Sequence, residues 1–404
     1  MNFSELINDF VNRLTAKPAW GNLPDKLIAI GVVGALLGFF GAKQQFAFSY
    51  LLAFMFFLSL CLGCLFLVLI HHLFDAHWSV PIRRFCEHGA FLLPVMGILF
   101  IPIALLAPEI YQWMGADPHL DHALHAKLPL FTKKAFYIVS VALFLIWFGL
   151  SKELRKNSLL QDESGAVIYT SRNRKLAAGG IFLFAFTLTM AAILWMKALQ
   201  HQWFSTMYGV YYFAASVWVT LPTVYIVALI LKRQGPLADV MREKHFHNIG
   251  VLMLAFTVFY AYINFSQYFL MWNAAIPEET FWYVAREEGT WWSFGMLIIF
   301  GHFFIPFLML LRIDIKLNIT LMIPLCIWAW LMHFVDMSFN IMPVLHPEGW
   351  KFHLLDYVCL AFVGGVLAKV FMIYIRVHPA YPQKDPRIAE TMGAYVAPEK
   401  ATNR

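Results

Sequence analysis

The stretch Ala255–Thr280 reads AFTVFYAYINFSQYFLMWNAAIPEET, and its reading decides the fold. It lies within an apolar run, Ile249–Ile276, that contains no formal charge. A helix needs roughly 20 such residues to cross a bilayer, so the run predicts a membrane span with length to spare. Its polar content sets it apart. Tyr260, Asn264 and Gln267 stand at i, i+4 and i+7 on one helical face, and Tyr262 and Ser266 form an adjoining pair. An amide without a partner is costly in hydrocarbon, so this face is expected to meet other helices or water rather than lipid. The run stops at Pro277-Glu278-Glu279-Thr280, an acidic exit at a membrane surface.

The rest of the chain repeats the pattern. Hydrophobic residues make up 60% and charged residues 13% of the sequence, and the charges crowd between long apolar segments. That excludes an ordinary soluble protein and predicts an all-α integral membrane protein. Met1–Phe10 has two acids and no basic residue, so no secretory signal peptide is expected there. Ten spans follow from hydropathy: Leu27–Ala42, Phe46–Leu73, Gly89–Ala107, Ala135–Leu150, Leu176–Leu199, Val210–Leu231, Ile249–Ile276, Trp291–Leu311, Ile319–Phe339 and Leu354–Ile375. Pro94, Pro102, Pro222, Pro306 and Pro324 fall inside them and are expected to kink them. Residues 1–26 read as an amphipathic N-terminal helix, with Phe3, Leu6, Ile7, Phe10, Val11 and Leu14 on its apolar face.

Lys and Arg set the orientation. Of the 30, 22 lie in the termini and the loops on their side, 7 on the opposite side, and Lys369 within the last span. Both termini are therefore expected in the cytoplasm. The opposite face is mildly acidic, which suits a positively charged partner, though solvated loops have the same composition. Spans two to five and six to nine look like two units of four helices in the same direction, with a weak resemblance between them. Each enters its second helix alike, through Arg83-Arg84-Phe85-Cys86-Glu87-His88-Gly89 and through Arg242-Glu243-Lys244-His245-Phe246-His247.

Chemistry-bearing residues are few. Cys61 and Cys64 make a CxxC without a second pair, which reads as packed thiols rather than a metal site. His119, His122 and His125 have helical metal spacing but stand in a polar loop, where surface is the commoner meaning. Only His302 and His333 are histidines within spans; a bis-histidine haem between them is one reading, a helix-bridging hydrogen bond another. His333 and Asp336 stand at i and i+3 on the ninth span. Lys197 and Lys369 sit where long side chains snorkel. Ionisable groups at membrane depth are candidates for proton relays, so Tyr260, Asn264, Gln267, His302, His333 and Asp336 form a candidate polar path. No nucleotide-binding loop, nucleophile motif or zinc motif is seen, and no catalytic residue or metal site is assigned.

Three stretches carry a family resemblance. They are Ser158-Leu159-Leu160-Gln161-Asp162 through Arg172 to LAAGGIFLFAFTLTMAAILW (Leu176–Trp195); His201-Gln202-Trp203-Phe204-Ser205-Thr206-Met207-Tyr208-Gly209-Val210-Tyr211; and Phe265-Ser266-Gln267-Tyr268 with Pro277-Glu278-Glu279-Thr280. They resemble the ActF family, integral-membrane subunits of bacterial alternative complex III, a quinol:cytochrome c (electron acceptor) oxidoreductase. The likeness runs from about Phe46 to the last span. It implies an NrfD/PsrC-like fold of two four-helix bundles plus two flanking helices, and a chain that binds no redox cofactor itself. The implied partners are an ActC-like membrane subunit, an iron–sulfur subunit and c-type haem subunits, which hold the iron–sulfur clusters and haem c, with a terminal oxidase as a further partner. Quinol oxidation is implied mainly at the ActC-like subunit, quinone or quinol binding here as a second site, and proton half-channels in both. Two places depart from the family: Lys197 stands where acids are common before the second motif, and Val335-Asp336-Met337-Ser338-Phe339 keeps the acid but not the usual aromatic pair.

The expected division is a cytoplasmic amphipathic segment 1–26, a flanking helix 27–45, bundles 46–200 and 201–340, a flanking helix 341–377 and a cytoplasmic tail 378–404. The expected function is a non-catalytic membrane subunit of a quinol-oxidising complex in the bacterial inner membrane. It would scaffold that complex and conduct protons through the second bundle. Direct quinone binding is the alternative, and a stand-alone secondary transporter the alternative of another class. Lipid surrounds the chain, and nothing in it addresses nucleic acid.

Overall fold

A computed structural model describes Glu5, Asp9 and residues 21–393. The predicted amphipathic helix, with Phe3, Leu6, Ile7, Phe10, Val11 and Leu14, falls outside the described residues. The described chain is helical, without a strand. Among the described residues nine helices are long and apolar enough to cross a membrane, and one bent pair, taken as one span, makes a tenth. In chain order they are α1 (Leu23–Gly41), α2 (Lys43–Phe74), the bent α3 (His77–Leu99 and Ile101–Ile110, 55° apart), α4 (Lys133–Ser164) and α5 (Ile168–Gln200). There follow α6 (Tyr208–Arg233), α7 (Glu243–Ala274), α8 (Trp291–Leu311), α9 (Ile319–Val344) and α10 (Leu354–Val377). This is a multi-pass, all-α membrane fold, the one secondary structure besides a closed barrel that satisfies every backbone group within lipid.

The most buried helices are α2 and α6, one from each half, and they cross in the middle of the protein. Their contact depends on Gly63. A Cβ there would stand 2.1 Å from Thr220 Oγ1 and 2.6 Å from the Ser216 carbonyl oxygen, and a backbone carbonyl cannot move aside. Gly63→Val is therefore expected to cost about 1–3 kcal/mol through overpacking, read as a lower unfolding midpoint in detergent. Against α2 pack α3 and α5, with α4 against those two, and against α6 pack α7 and α9, with α8 against those two. The flanking helices α1 and α10 lie against each other and beside α2. Gly31 lets them approach, since its added Cβ would meet Phe362 at 2.4 Å. The start of α1 and the finish of α10 share one end, where Lys369 Nζ donates to Asp25 Oδ1 at 2.5 Å. The opposite end is called the far end below.

The third span differs from the hydropathy reading. Its helix begins at His77, well before Gly89, and Arg83, Arg84 and Glu87 lie inside it, each almost fully buried. They are tolerated because partners arrive from distant segments. Arg83 donates to Asp385 of the C-terminal stretch and to His71 Nε2 (2.9 Å), and Arg84 to Asp162 at the end of α4. Glu87 lies 3.2 Å from Arg83 and 3.3 Å from Arg84. The C-terminal stretch runs on across this end, with Arg387 pairing Asp75 (2.6 Å) and Thr391 Oγ1 donating to the His77 carbonyl (2.6 Å). The 55° bend of α3 falls just before Pro102. By contrast, Pro222 and Pro324 lie inside unbroken helices.

Candidate functional site

The polar face of α7 is buried as its spacing demands. Tyr260 and Gln267 are buried and Asn264 is half-buried. Tyr262, two residues and so about half a turn from Tyr260, departs from the expectation; it is exposed on the outer surface of the helix. Neighbouring elements meet this face at the far end. After α7 the chain makes a turn and the short helix Pro277–Glu287, with Pro277 in its first turn and Glu278 and Glu279 favourably placed at its N-terminus. That helix buries Trp282, Tyr283 and Arg286. Then α8 returns along α7.

Between α7, the short helix, α8 and the last turns of α9 lies a cavity of about 950 Å³. Its mouth is lined by Tyr262, Phe265, Trp292, Ile299 and Phe304, all strongly exposed on helix faces that hydrocarbon would cover. The opening therefore faces sideways, toward lipid. Its inner wall is polar and includes Tyr208, Tyr211, Tyr260, Asn264, Gln267 and Asn340. The combination of an apolar, aromatic lining with a few convergent polar groups is what a small-molecule site requires.

Behind the wall sits Asp336 of α9, fully buried. Tyr260 donates its hydroxyl proton to Asp336 Oδ1 at 2.7 Å, and Tyr211 does the same from α6. Asn264 Nδ2 donates to the Tyr260 hydroxyl at 3.0 Å. Asn340, one turn beyond Asp336, donates to the Tyr211 hydroxyl (2.6 Å) and accepts from Tyr208 (3.0 Å). A continuous hydrogen-bonded set thus joins α6, α7 and α9, and Tyr211 and Tyr260 both line the cavity and donate to the carboxyl group. The second oxygen of Asp336 has no hydrogen-bond partner among the described residues.

His302 supports the same wall. A π-helical turn, Ile298–Phe304, interrupts α8 and holds the imidazole face to face between Trp218 and Tyr260, with ring centroids 3.6 and 3.8 Å away. Such turns concentrate at functional positions. Trp328 of α9 donates to the Gly301 carbonyl at 2.8 Å and anchors the irregular turn. His302 is thus a packing support for Tyr260, with neither ring nitrogen hydrogen-bonded among the described residues. His333 turns elsewhere: its Nε2 meets Ser59 Oγ of α2 at 2.8 Å and its ring packs on Phe56. Gln267 lines the cavity apart from Asp336, accepting from Ser205 Oγ and donating to the Tyr283 hydroxyl, both at 3.0 Å. Of the six residues expected from sequence, Tyr260, Asn264 and Asp336 form one bonded unit, His302 backs it, Gln267 adjoins it and His333 faces the other bundle.

Tyr208, Tyr211, Asn340 and Arg286 were not singled out as site residues by sequence. The two tyrosines belong to the second motif of the resemblance, which marks them only as part of a recognisable stretch. Arg286 is 2% exposed and stacks on Trp282 at 3.5 Å, and Trp282 stacks in turn on Trp203 at 4.5 Å. Its guanidinium donates to the carbonyls of Trp282 (2.9 Å), Phe339 (2.9 Å) and Asn340 (3.1 Å) and to Gln200 Oε1 (3.3 Å). Burial pulls its pKa down to about 9, and the group is still cationic at neutral pH.

Lys197, which the sequence placed as a snorkelling side chain, is buried instead and donates to the Trp203 carbonyl at 3.1 Å, which Lys127 also reaches at 3.2 Å. Asp121 caps the short helix His122–His125 and accepts from His201 Nε2 at 2.6 Å, which holds its carboxyl below the usual carboxylate range. Among the described residues no cluster of three or more His, Cys, Asp and Glu side chains is arranged to hold a metal ion. No family model matches this chain, and no curated protein matches it.

Proposed function

We propose that this chain is a membrane subunit of a quinol:cytochrome c (electron acceptor) oxidoreductase, without a redox centre of its own. In this reading the second bundle takes a quinone or quinol head into the lateral cavity and moves protons through Tyr260 and Asp336. The observation that carries it is the position of the Tyr211–Tyr260–Asp336 unit directly behind the wall of a cavity that opens toward lipid. A hydrophobic ring compound arrives through the bilayer, so a side opening suits it better than a water-facing cleft. The tyrosine hydroxyls and the Asn264 amide supply hydrogen bonds to a carbonyl or hydroxyl, and a buried carboxylate one bond further on can accept a proton. The partners in this reading are an ActC-like membrane subunit, an iron–sulfur subunit and c-type haem subunits. The membrane is the bacterial inner membrane, with both termini cytoplasmic.

The scaffold reading and the direct-binding reading meet at this cavity, and the cavity favours the second. Gly295 lines it, and a Cβ added there touches nothing closer than Phe339 at 3.8 Å. Gly295→Leu should therefore fill the space without disturbing the fold. Affinity purification through the chain in mild detergent is expected to yield c-type haem absorbance, which no CxxCH of this sequence could provide, together with extractable quinone. Gly295→Leu should keep the haem signal and lower quinone binding at least about tenfold, the loss of roughly 1.4 kcal/mol of contact. A single-chain, haem-free preparation would instead favour the secondary transporter. Haem with quinone retention unchanged by Gly295→Leu would return the chain to a scaffold.

A further inference from the structure

The cavity carries a buried positive charge that the proton route does not use. Arg286 reaches its wall from the short helix, and among the described residues no carboxylate oxygen lies within ion-pair distance of the guanidinium. Its hydrogen bonds run to neutral carbonyl oxygens instead. The charges nearby do not cancel it locally. Glu287 also lines the cavity, but it is exposed, accepts from the Tyr268 hydroxyl at 3.3 Å and forms no ion pair with the guanidinium among the described residues. Asp336 stands behind Tyr211 and Tyr260. The polar groups facing Arg286 are Tyr208 and Tyr211 from α6, Tyr283 from its own helix and Gln200 from the end of α5. None of them is anionic at neutral pH. A buried cation held by dipoles alone keeps most of its attraction for any negative charge that enters the same low-dielectric space.

We infer that Arg286 makes this cavity selective for ring compounds bearing an ionised oxygen, the hydroxyquinone class, over neutral quinones of equal size. The inference rests on the quinone reading and specifies its ligand. A planar guanidinium stacked on Trp282 is fixed in place, so it attracts a ligand oxygen without first losing side-chain freedom. A neutral ring gains contact with the aromatic walls but nothing from the charge.

Two probes separate these contributions: a 2-hydroxy-3-alkyl-1,4-naphthoquinone, ionised at neutral pH, and its methyl ether with the same alkyl chain. Binding to the purified complex in lipid nanodiscs is read by quenching of tryptophan fluorescence, since Trp282 and Trp292 line the cavity. The native protein is expected to bind the ionised probe at least tenfold more tightly, and the preference should vanish below the probe's own pKa. Arg286→Gln should abolish the preference while leaving the methyl ether's affinity within about threefold, and Arg286→Lys should restore part of it. Equal affinities in the native protein, or a preference that survives in Arg286→Gln, would overturn the inference and leave the quinone site standing. The native comparison needs no variant, so a misfolded Arg286→Gln does not shelter the inference. Binding of neither probe overturns the quinone reading itself.

Discussion

Asp336→Asn is expected to leave the chain folded and its complex assembled while lowering quinol turnover on the order of 10²-fold, the range typical of losing a positioned acid–base group. The amide is nearly isosteric, and Tyr211 and Tyr260 can still donate to its oxygen, so packing around α6, α7 and α9 is preserved. What disappears is the capacity to hold a proton. Tyr260→Phe should act in the same direction but more weakly, because Tyr211 remains as a second hydroxyl on Asp336. The measurement is steady-state quinol oxidation by the intact complex, with subunit content checked by gel. If Asp336→Asn combined with His302→Ala assembles and turns over like the parent, the proton route through the second bundle fails.

The second large effect lies at the other end of the molecule. Asp385→Ala is expected to destabilise the protein by about 3–5 kcal/mol, because it removes one side of an ion pair whose other side is buried. Arg83 and Asp385 are 2% and 5% exposed, so water does not replace the lost carboxylate. Glu87, 3.2 Å from Arg83, remains and places the effect near the lower figure. A thermal midpoint in detergent reads this directly. Replacing both partners, as in Arg83→Met with Asp385→Leu, should recover part of the loss, since an apolar pair leaves no uncompensated charge. Equal midpoints for Asp385→Ala and the parent would show that the C-terminal stretch contributes no such support.

These two sites show where sequence reading reaches and where it stops. Hydropathy found all ten spans of the described residues, the bent pair counted as one, because lipid imposes its length and composition residue by residue. It misplaced the start of α3 because Arg83, Arg84 and Glu87 look like loop residues locally. Their burial is made acceptable by Asp162 and Asp385, and no local window contains those partners. At the cavity, Tyr260 and Asn264 were legible from their i, i+4 spacing, and Asp336 from its charge inside a span. Tyr211 and Tyr208 were hidden because tyrosines near helix ends also mark ordinary membrane interfaces. Arg286 had a signal that went unread: Trp282, Tyr283 and Arg286 repeat at helical spacing after a proline-led N-terminus, which marks a short buried helix rather than a turn. His333 shows the converse. Its i, i+3 relation to Asp336 placed both on one helix, but side chains that close in sequence still diverge to serve different bundles.

The Arg83–Asp385 contact also has a meaning in time. A ribosome delivers α2 and α3 early and the second carboxylate partner of Arg83 302 positions later, after the last described span has been made. Until then Arg83 has Glu87, which it shares with Arg84, as its carboxylate partner within the first half. A chain cut short anywhere before Asp385 lacks that second ion pair, however well its hydrophobic segments have inserted. The finished form therefore differs from its fragments in holding Arg83 from two sides, by Glu87 of its own helix and by one late carboxylate.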